Sequence, residues 1–207
     1  MTYVHEPRLE PVSVLSLHPT QITVGMHQVR AKRDHLKSIS KSKLEKFLGS
    51  HLIPVVYGYK ERYYLTDHHR LARALYEEGV QDVAVTVLSD LHKLDKDSFW
   101  YVMDHYDWVH PFKEGVRQNY SDLPKSVAGL IDDPFRSLAG ELRWAGGFSK
   151  HTSTFSEFLW ANFLRHNMDR KDVDSDFKRA LGRAFKLAKS KEASYLPGWC
   201  GPNERYA

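Results

Sequence analysis

The chain carries one cysteine in 207 residues. Cys200 cannot form an internal disulfide, which fits a reducing compartment. Long apolar runs are also missing. No stretch approaches the ~18 consecutive apolar residues that a membrane span requires, so no membrane partner is expected. Neither sign of charge is in large excess: 30 Lys and Arg stand against 26 Asp and Glu, for a formal charge of +4. That balance argues against a simple polycation that coats nucleic acid, yet it is compatible with a phosphate-bearing ligand. The opening segment, MTYVHEPRLEPVSVLSL, lacks the basic, apolar and small-residue blocks of a signal peptide, so a cytoplasmic location is expected. Repeats and low-complexity linkers are absent too. The length allows one good core, or one core with a substantial appendage.

What is present divides at about residue 91. Before it, VSVLSL (12–17), HLIPVVYGY, RYYLT and DVAVTVLSDL read as strands. PTQITVGMHQV follows the first as a polar loop with Gly25 as its turn point. GMHQVRAKRDHLKSI, SKSKLEKFLGSH and HHRLARALYEEGV read as helices. Ser40 or Ser42 can cap the second, Gly49 stops it, and Gly79 ends the third. GYKER is short enough for a hairpin turn. The order predicted is β-α-α-β-β-α-β, a small mixed sheet with helices on it. After Leu91 no strand is predicted. DKDSFWYVMDHY, FKEGVRQNY, LPKSVAGLI, PFRSLAGELRWAG, TFSEFLWANFLRHN and VDSDFKRALGRAFKLAKSK read as helices, and the tail LPGWCGPNERYA as loop. The expected fold class is α/β (α+β): a mixed-sheet domain over 1–91 and an all-helical region over 92–207 packed on it.

The densest chemistry lies in YYLTDHHRLARAL (63–75), where a strand gives way to a helix. A helix start leaves backbone N–H groups without partners and carries partial positive charge, so a phosphate fits there. Thr66 or Asp67 can cap it. Arg70, in the first turn, can donate a fork of hydrogen bonds to phosphate oxygens. His68 and His69 can donate hydrogen bonds or move protons near neutral pH, with Asp67 beside them. Thr66 and Arg70 are thus phosphate-binding candidates, and His68, His69 and Asp67 catalytic ones. Adjacent histidines point apart on a helix, and no zinc pattern accompanies them.

DDPFRSLAGELRWAGGFSK (132–150) is the second constellation. Asp132 and Asp133 are the candidates for Mg²⁺. Arg136, Arg143 and Lys150, near a Gly-Gly turn, can close over phosphates. The simpler reading is a helix start, with Asp133 as cap and Pro134 at the first position. The aromatic residues of FWYVMDHYDWVHPF and FLWANFLR read mainly as core. The basic face of DSDFKRALGRAFKLAKSK, with Lys178, Arg179, Arg183, Lys186 and Lys189, reads as solvated surface.

IPVV…YYLTDHHRLARAL…VAVTVLSDL resembles the ParB/sulfiredoxin fold. With LHPTQITVGMHQV, FWYVMDHYDWVHPF, LPKSVAGLIDDPFRSLAGELRWAGGFSK and FSEFLWANFLR, the chain from about 12 to 197 resembles the putative ParB-like nuclease family. The resemblance implies phosphate binding at the strand-to-helix junction. Sulfiredoxins carry Gly-Cys-His-Arg there, ParB proteins an arginine-rich nucleotide box, and free serine kinases of this fold Asp-Gly-His-His-Arg. Aligned on the last residues, His68 stands where sulfiredoxins have their reactive cysteine, so that thiol chemistry is lost. Thr66 stands where the serine kinases have aspartate, with Asp67 displaced by one. No glutamate lies between Glu10 and Glu45, where those kinases use one; Gln21, His27 and Asp34 are the polar residues of that region, and Gln21 or His27 can orient a substrate. Both departures weigh against serine kinase activity. The helix-turn-helix and dimerisation modules of a partitioning ParB are not recognised either. The leading expectation is a nucleotide (ATP, ADP or CTP) or other phosphate ester bound at Thr66–Arg70, with Mg²⁺ and with phosphoryl transfer or NTP hydrolysis. The alternatives are a DNA-binding protein or metal-dependent nuclease, and a non-catalytic interaction module.

Overall fold

The structure is a computed structural model and describes residues 7–202. The first six residues of the opening segment and the last five of the tail lie outside the described residues. The chain forms two compact units. One holds the chain up to Val24 together with Val29–Ile131; the other holds Gly25–Gln28 and the chain from Asp132 onward. The change of unit therefore falls at 131/132, whereas the change in sequence texture falls near 91. Among the described residues no helix is long and apolar enough to cross a membrane.

The first unit contains β1 (Pro7–Ser13), β2 (Leu17–Pro19), β3 (Thr23–Val24), most of α1 (Met26–Ser38), α2 (Lys41–Ser50), β4 (Ile53–Gly58), β5 (Arg62–Leu65), α3 (His69–Glu77), β6 (Asp82–Asp90), α4 (Lys96–His105), β7 (Phe112–Lys113), β8 (Val116–Arg117) and the start of β9 (Ile131–Asp132). Five strands pair in the order β1-β6-β4-β5-β2. The β1–β6 and β4–β5 pairs are antiparallel; β4–β6 and β2–β5 are parallel. The sheet is mixed, as expected.

VSVLSL is not one strand. β1 ends at Ser13, Val14–Ser16 make a single 3-10 turn, and β2 begins at Leu17. The two halves occupy opposite edges of the sheet. Edges of a flat five-stranded sheet lie roughly 19 Å apart, and the link from Ser13 to Leu17 spans at most about 14 Å. The sheet must curl for that link to close, and it is curled. Val14 fixes the crossing: its side chain is buried and its N–H donates to the Gln81 carbonyl at 2.9 Å.

α3 buries Leu71, Ala72, Ala74 and Leu75, the spacing of one helical face, and ends before Gly79 at φ +75°. α2 is capped by Ser40 and runs through Gly49 to Ser50, because the Phe47 carbonyl accepts from the His51 N–H and no left-handed residue is needed. α4 is capped by Asp95 and buries Phe99, Trp100 and Met103 against Val56, Tyr64 and Val109. Phe99 and Trp100 of the aromatic run are thus core, whereas Tyr101 and Tyr106 of the same run are exposed. A Cβ at Gly58 would stand 2.2 Å from the Phe99 ring, so only glycine fits there.

Two expected helices are absent. FKEGVRQNY forms the β7–β8 hairpin, with Lys113 opposite Val116. Glu114 and Gly115 both have positive φ, the backbone of a tight hairpin turn. LPKSVAGLI forms only a 3-10 turn at Val127–Gly129. Its carbonyls point away from a helical ladder: those of Val127, Ala128 and Leu130 accept from the Arg73 guanidinium at 3.2, 2.7 and 2.8 Å. Arg73 is held in turn by Glu77 at 2.6 Å. The region after 91 is thus largely helical with short strands, rather than all-helical.

The second unit contains α5 (Pro134–Trp144), α6 (Ser156–Asn167), α7 (Arg170–Ser175) and α8 (Phe177–Ala188), besides the first turn of α1. Leu138, Leu142, Trp160, Leu164, Ala180 and Ala184 are central to its core. α8 packs through Ala180, Ala184 and Ala188, with Phe177 and Leu181 partly buried, and leaves Lys178, Arg179, Arg183 and Lys186 exposed, as its amphipathic pattern predicts.

Candidate functional site

The β5–α3 junction is built to leave a helix start open. Thr66 donates both its N–H and its hydroxyl to the Pro54 carbonyl, at 3.1 and 3.2 Å, which straps it to β4. Asp67 Oδ1 accepts the His68 N–H at 2.6 Å. The chain then turns at His68, which adopts the left-handed conformation at φ +62°. Histidine enters that region more readily than most residues. α3 begins at His69 and no side chain caps it. Neither expected cap therefore serves: both side chains are occupied one step upstream.

The two histidines part company. His68 is exposed, and His69 is 3% exposed. Nε2 of His69 lies 3.2 Å from the Thr20 N–H and 3.4 Å from Thr20 Oγ1. Thr20 Oγ1 already donates to the Leu65 carbonyl at 2.6 Å. Nε2 must accept from Thr20 N–H, so its neutral ring carries the proton on Nδ1. His69 is a strut between the end of β2 and α3. It is not an open acid, which leaves His68 as the accessible imidazole of the pair.

Arg70 sits half-buried in the first turn. Lys32, on α1, holds its proton less tightly than an ordinary lysine; packing around its ammonium is the larger cause and the neighbouring Arg70 guanidinium the second. Although the Lys32 side chain as a whole is exposed, its charge is thus felt by Arg70. Arg70 and Lys32 thus both stand near a helix start that no side chain caps.

The other expected residues are placed differently. Gln21 is buried, and its backbone bridges His110. Asp133 caps α5, accepting the Phe135 N–H at 3.0 Å with one oxygen, and its other oxygen pairs with Arg165. Asp132 Oδ1 accepts the Met26 N–H at 2.9 Å. Of the expected Mg²⁺ pair, Asp133 thus has both oxygens engaged within the protein and Asp132 has one. Among the described residues no three His, Cys, Asp or Glu side chains group as a metal site. Arg136 is buried with its guanidinium 3.4 Å from the centre of the Phe158 ring, and Arg143 pairs with Glu157. Lys150 is exposed. His27 lies in the second unit beside Glu141.

Sequence reasoning missed Thr20, Lys32 and Gln28, whereas Ser137 and Glu141 lie in the 132–150 stretch that it singled out. For Thr20 and Lys32 no local signal exists, since their partners are 49 and 38 residues away. Gly25 before Gln28, and Gly140 before Glu141, were signals for a close helix approach.

A mixed α+β protein with an open, cation-flanked strand-to-helix junction is the class that these features define. The family model described as putative ParB-like nuclease matches residues 10–166, and the chain belongs to that family. The crystal structure of protein Atu1540 from Agrobacterium tumefaciens is similar to it with a TM-score of 0.89 and 48% identity, covering 97% of this chain and 100% of that one. No curated protein matches.

Proposed function

We propose that the protein binds a nucleotide or another phosphate ester at the start of α3 and acts in phosphoryl transfer or nucleotide hydrolysis. The observation that carries this reading is the pairing of an uncapped helix start with Arg70 and Lys32. The backbone N–H groups of the first turn would bind phosphate oxygens, Arg70 would clamp them, and His68 would donate a hydrogen bond or a proton. Mg²⁺, if used, would arrive with the phosphates it neutralises, because the Asp132–Asp133 pair does not fit a carboxylate cage. A reducing, cytoplasmic setting agrees with the single cysteine.

Thermal unfolding of the wild type and Arg70→Ala with ATP, ADP, CTP or GTP, with and without Mg²⁺, tests the reading. A ligand at 100 times its Kd stabilises by about 2.7 kcal/mol. One nucleotide should raise the melting temperature of the wild type and leave Arg70→Ala unmoved. If none does, the reading fails. The second reading, a DNA-binding protein or nuclease, is favoured by the description of the family. It predicts DNA binding that weakens steeply with salt. A stabilising nucleotide without turnover would point to a binding module.

A further inference from the structure

The second unit assembles a polar cluster that the anion site of the first unit does not use. α1 opens there with Met26 and His27, whose N–H groups donate to Asp132 Oδ1 (2.9 Å) and Ser137 Oγ (3.1 Å). This helix start is satisfied by protein groups and is no anion site. The His27 ring lies flat on Phe177, with centroids 4.6 Å apart and planes at 8°. Its Nδ1 is buried and stands 3.4 Å from Glu141 Oε1. The same carboxylate oxygen accepts from Gln28 Nε2 at 2.9 Å, and the other Nε2 proton goes to the Ser137 carbonyl at 2.8 Å.

Gln28 is 8% exposed, so this fork is a built support. Two glycines make its space. A Cβ on Gly25 would come 2.4 Å from Gln28 Oε1, and one on Gly140 would come 2.9 Å from Gln28 Nε2. Glu141 is therefore held in one orientation, facing the imidazole.

That orientation decides where the proton of His27 sits. A lone pair on Nδ1 would be repelled by the carboxylate, and an N–H is attracted by it. The neutral ring carries its proton on Nδ1 and its lone pair on Nε2. With Nδ1 buried and the side chain 44% exposed, the open part of the ring is its other edge. The 3.4 Å separation is long for a hydrogen bond, as such pairs are before charge develops on them.

We propose that Glu141 and His27 form a carboxylate–imidazole dyad whose Nε2 accepts the proton of a hydroxyl nucleophile, water or an alcohol. The O–H bond breaks, the proton passes to Nε2, and the electron pair stays on the oxygen, which becomes the attacking group. Glu141 stabilises the imidazolium that results. The proposal goes beyond the anion site at α3 and does not depend on it.

The full chain tests this without a known substrate. Long-range ¹H–¹⁵N NMR reports the tautomer of His27. Diethyl pyrocarbonate reports its lone pair: Nε2 bonds to the carbonyl carbon, and the ethyl carbonate leaving group departs as ethanol and carbon dioxide. His92, whose Nδ1 contacts Asp90, is the internal reference. The wild type should show the Nδ1–H tautomer. Glu141→Ala should mix the tautomers and slow acylation at His27 about threefold or more, with His92 unchanged. Glu141→Gln keeps an acceptor for Gln28 and should slow acylation with less risk to folding. An Nε2–H tautomer in the wild type, or an unchanged His27 rate in both variants, overturns the dyad.

Discussion

The helix starts of α3 and α5 carry similar residue types and are put to opposite uses. At α5 the acidic residue before the helix caps it, a proline takes the first position, and the free carboxylate oxygen is closed by Arg165. At α3 the acidic residue spends its oxygen on the preceding turn, a left-handed histidine takes the junction, and Arg70 and Lys32 stand beside an uncapped first turn. A satisfied helix start contributes stability. One without a side-chain cap, with cations near it, is the start that the proposed anion would complete. Motif reading cannot separate the two, because the difference lies in where each carboxylate points.

The contrast can be broken by substitution. Asp133→Ala should have the largest effect: it removes a cap and strands Arg165 partly buried, for a loss of about 3 kcal/mol in chemical denaturation. Nucleotide binding per folded molecule should not change. A loss well under 1 kcal/mol would mean that this helix start is not structural. Thr66→Val at the other junction should cost about 1 kcal/mol, because the Pro54 carbonyl loses one of two donors.

Installing a charge at α3 sharpens the comparison further. His68→Asp places a carboxylate where the helix dipole, Arg70 and Lys32 all favour it, and aspartate tolerates the left-handed backbone. It should raise stability by about 0.5 kcal/mol and abolish binding of a phosphate ester. A variant that is stabilised and still binds would separate the anion site from this helix start.

The smallest expected effect is a pH dependence at β2. Burial, with the Arg62 charge as the second cause, holds His18 below its ordinary value of 6.5. The unfolded chain then binds the proton more readily than the folded one. The stability contributed by neutral His18 is complete above pH 6.5 and is lost as pH falls from there through the folded value. His18→Gln should flatten that part of the stability curve; an unchanged slope would locate the titration elsewhere.

Much of this was legible in the sequence, for reasons that differ by element. The β5–α3 junction shows itself because apolar alternation gives way to helical spacing across five polar residues. α5 shows itself by Asp133-Pro134. The β7–β8 hairpin did not, because two-residue strands carry no periodicity and its Glu-Gly turn sits among residues that also suit a helix. Segment 127–130 is shaped by Arg73 from more than 50 residues away, which no local pattern records. The site follows the same division: Thr66–Arg70 is local, whereas Lys32 and the contact of Glu141 with His27 enter only through tertiary structure.

The most direct test of the account is a crystal structure of the wild type with inorganic pyrophosphate, alongside calorimetric titration of the wild type and His68→Asp. The account predicts pyrophosphate against the first-turn N–H groups of α3 and the Arg70 guanidinium, with binding lost in His68→Asp. Pyrophosphate bound elsewhere, or bound equally well by both proteins, would contradict it.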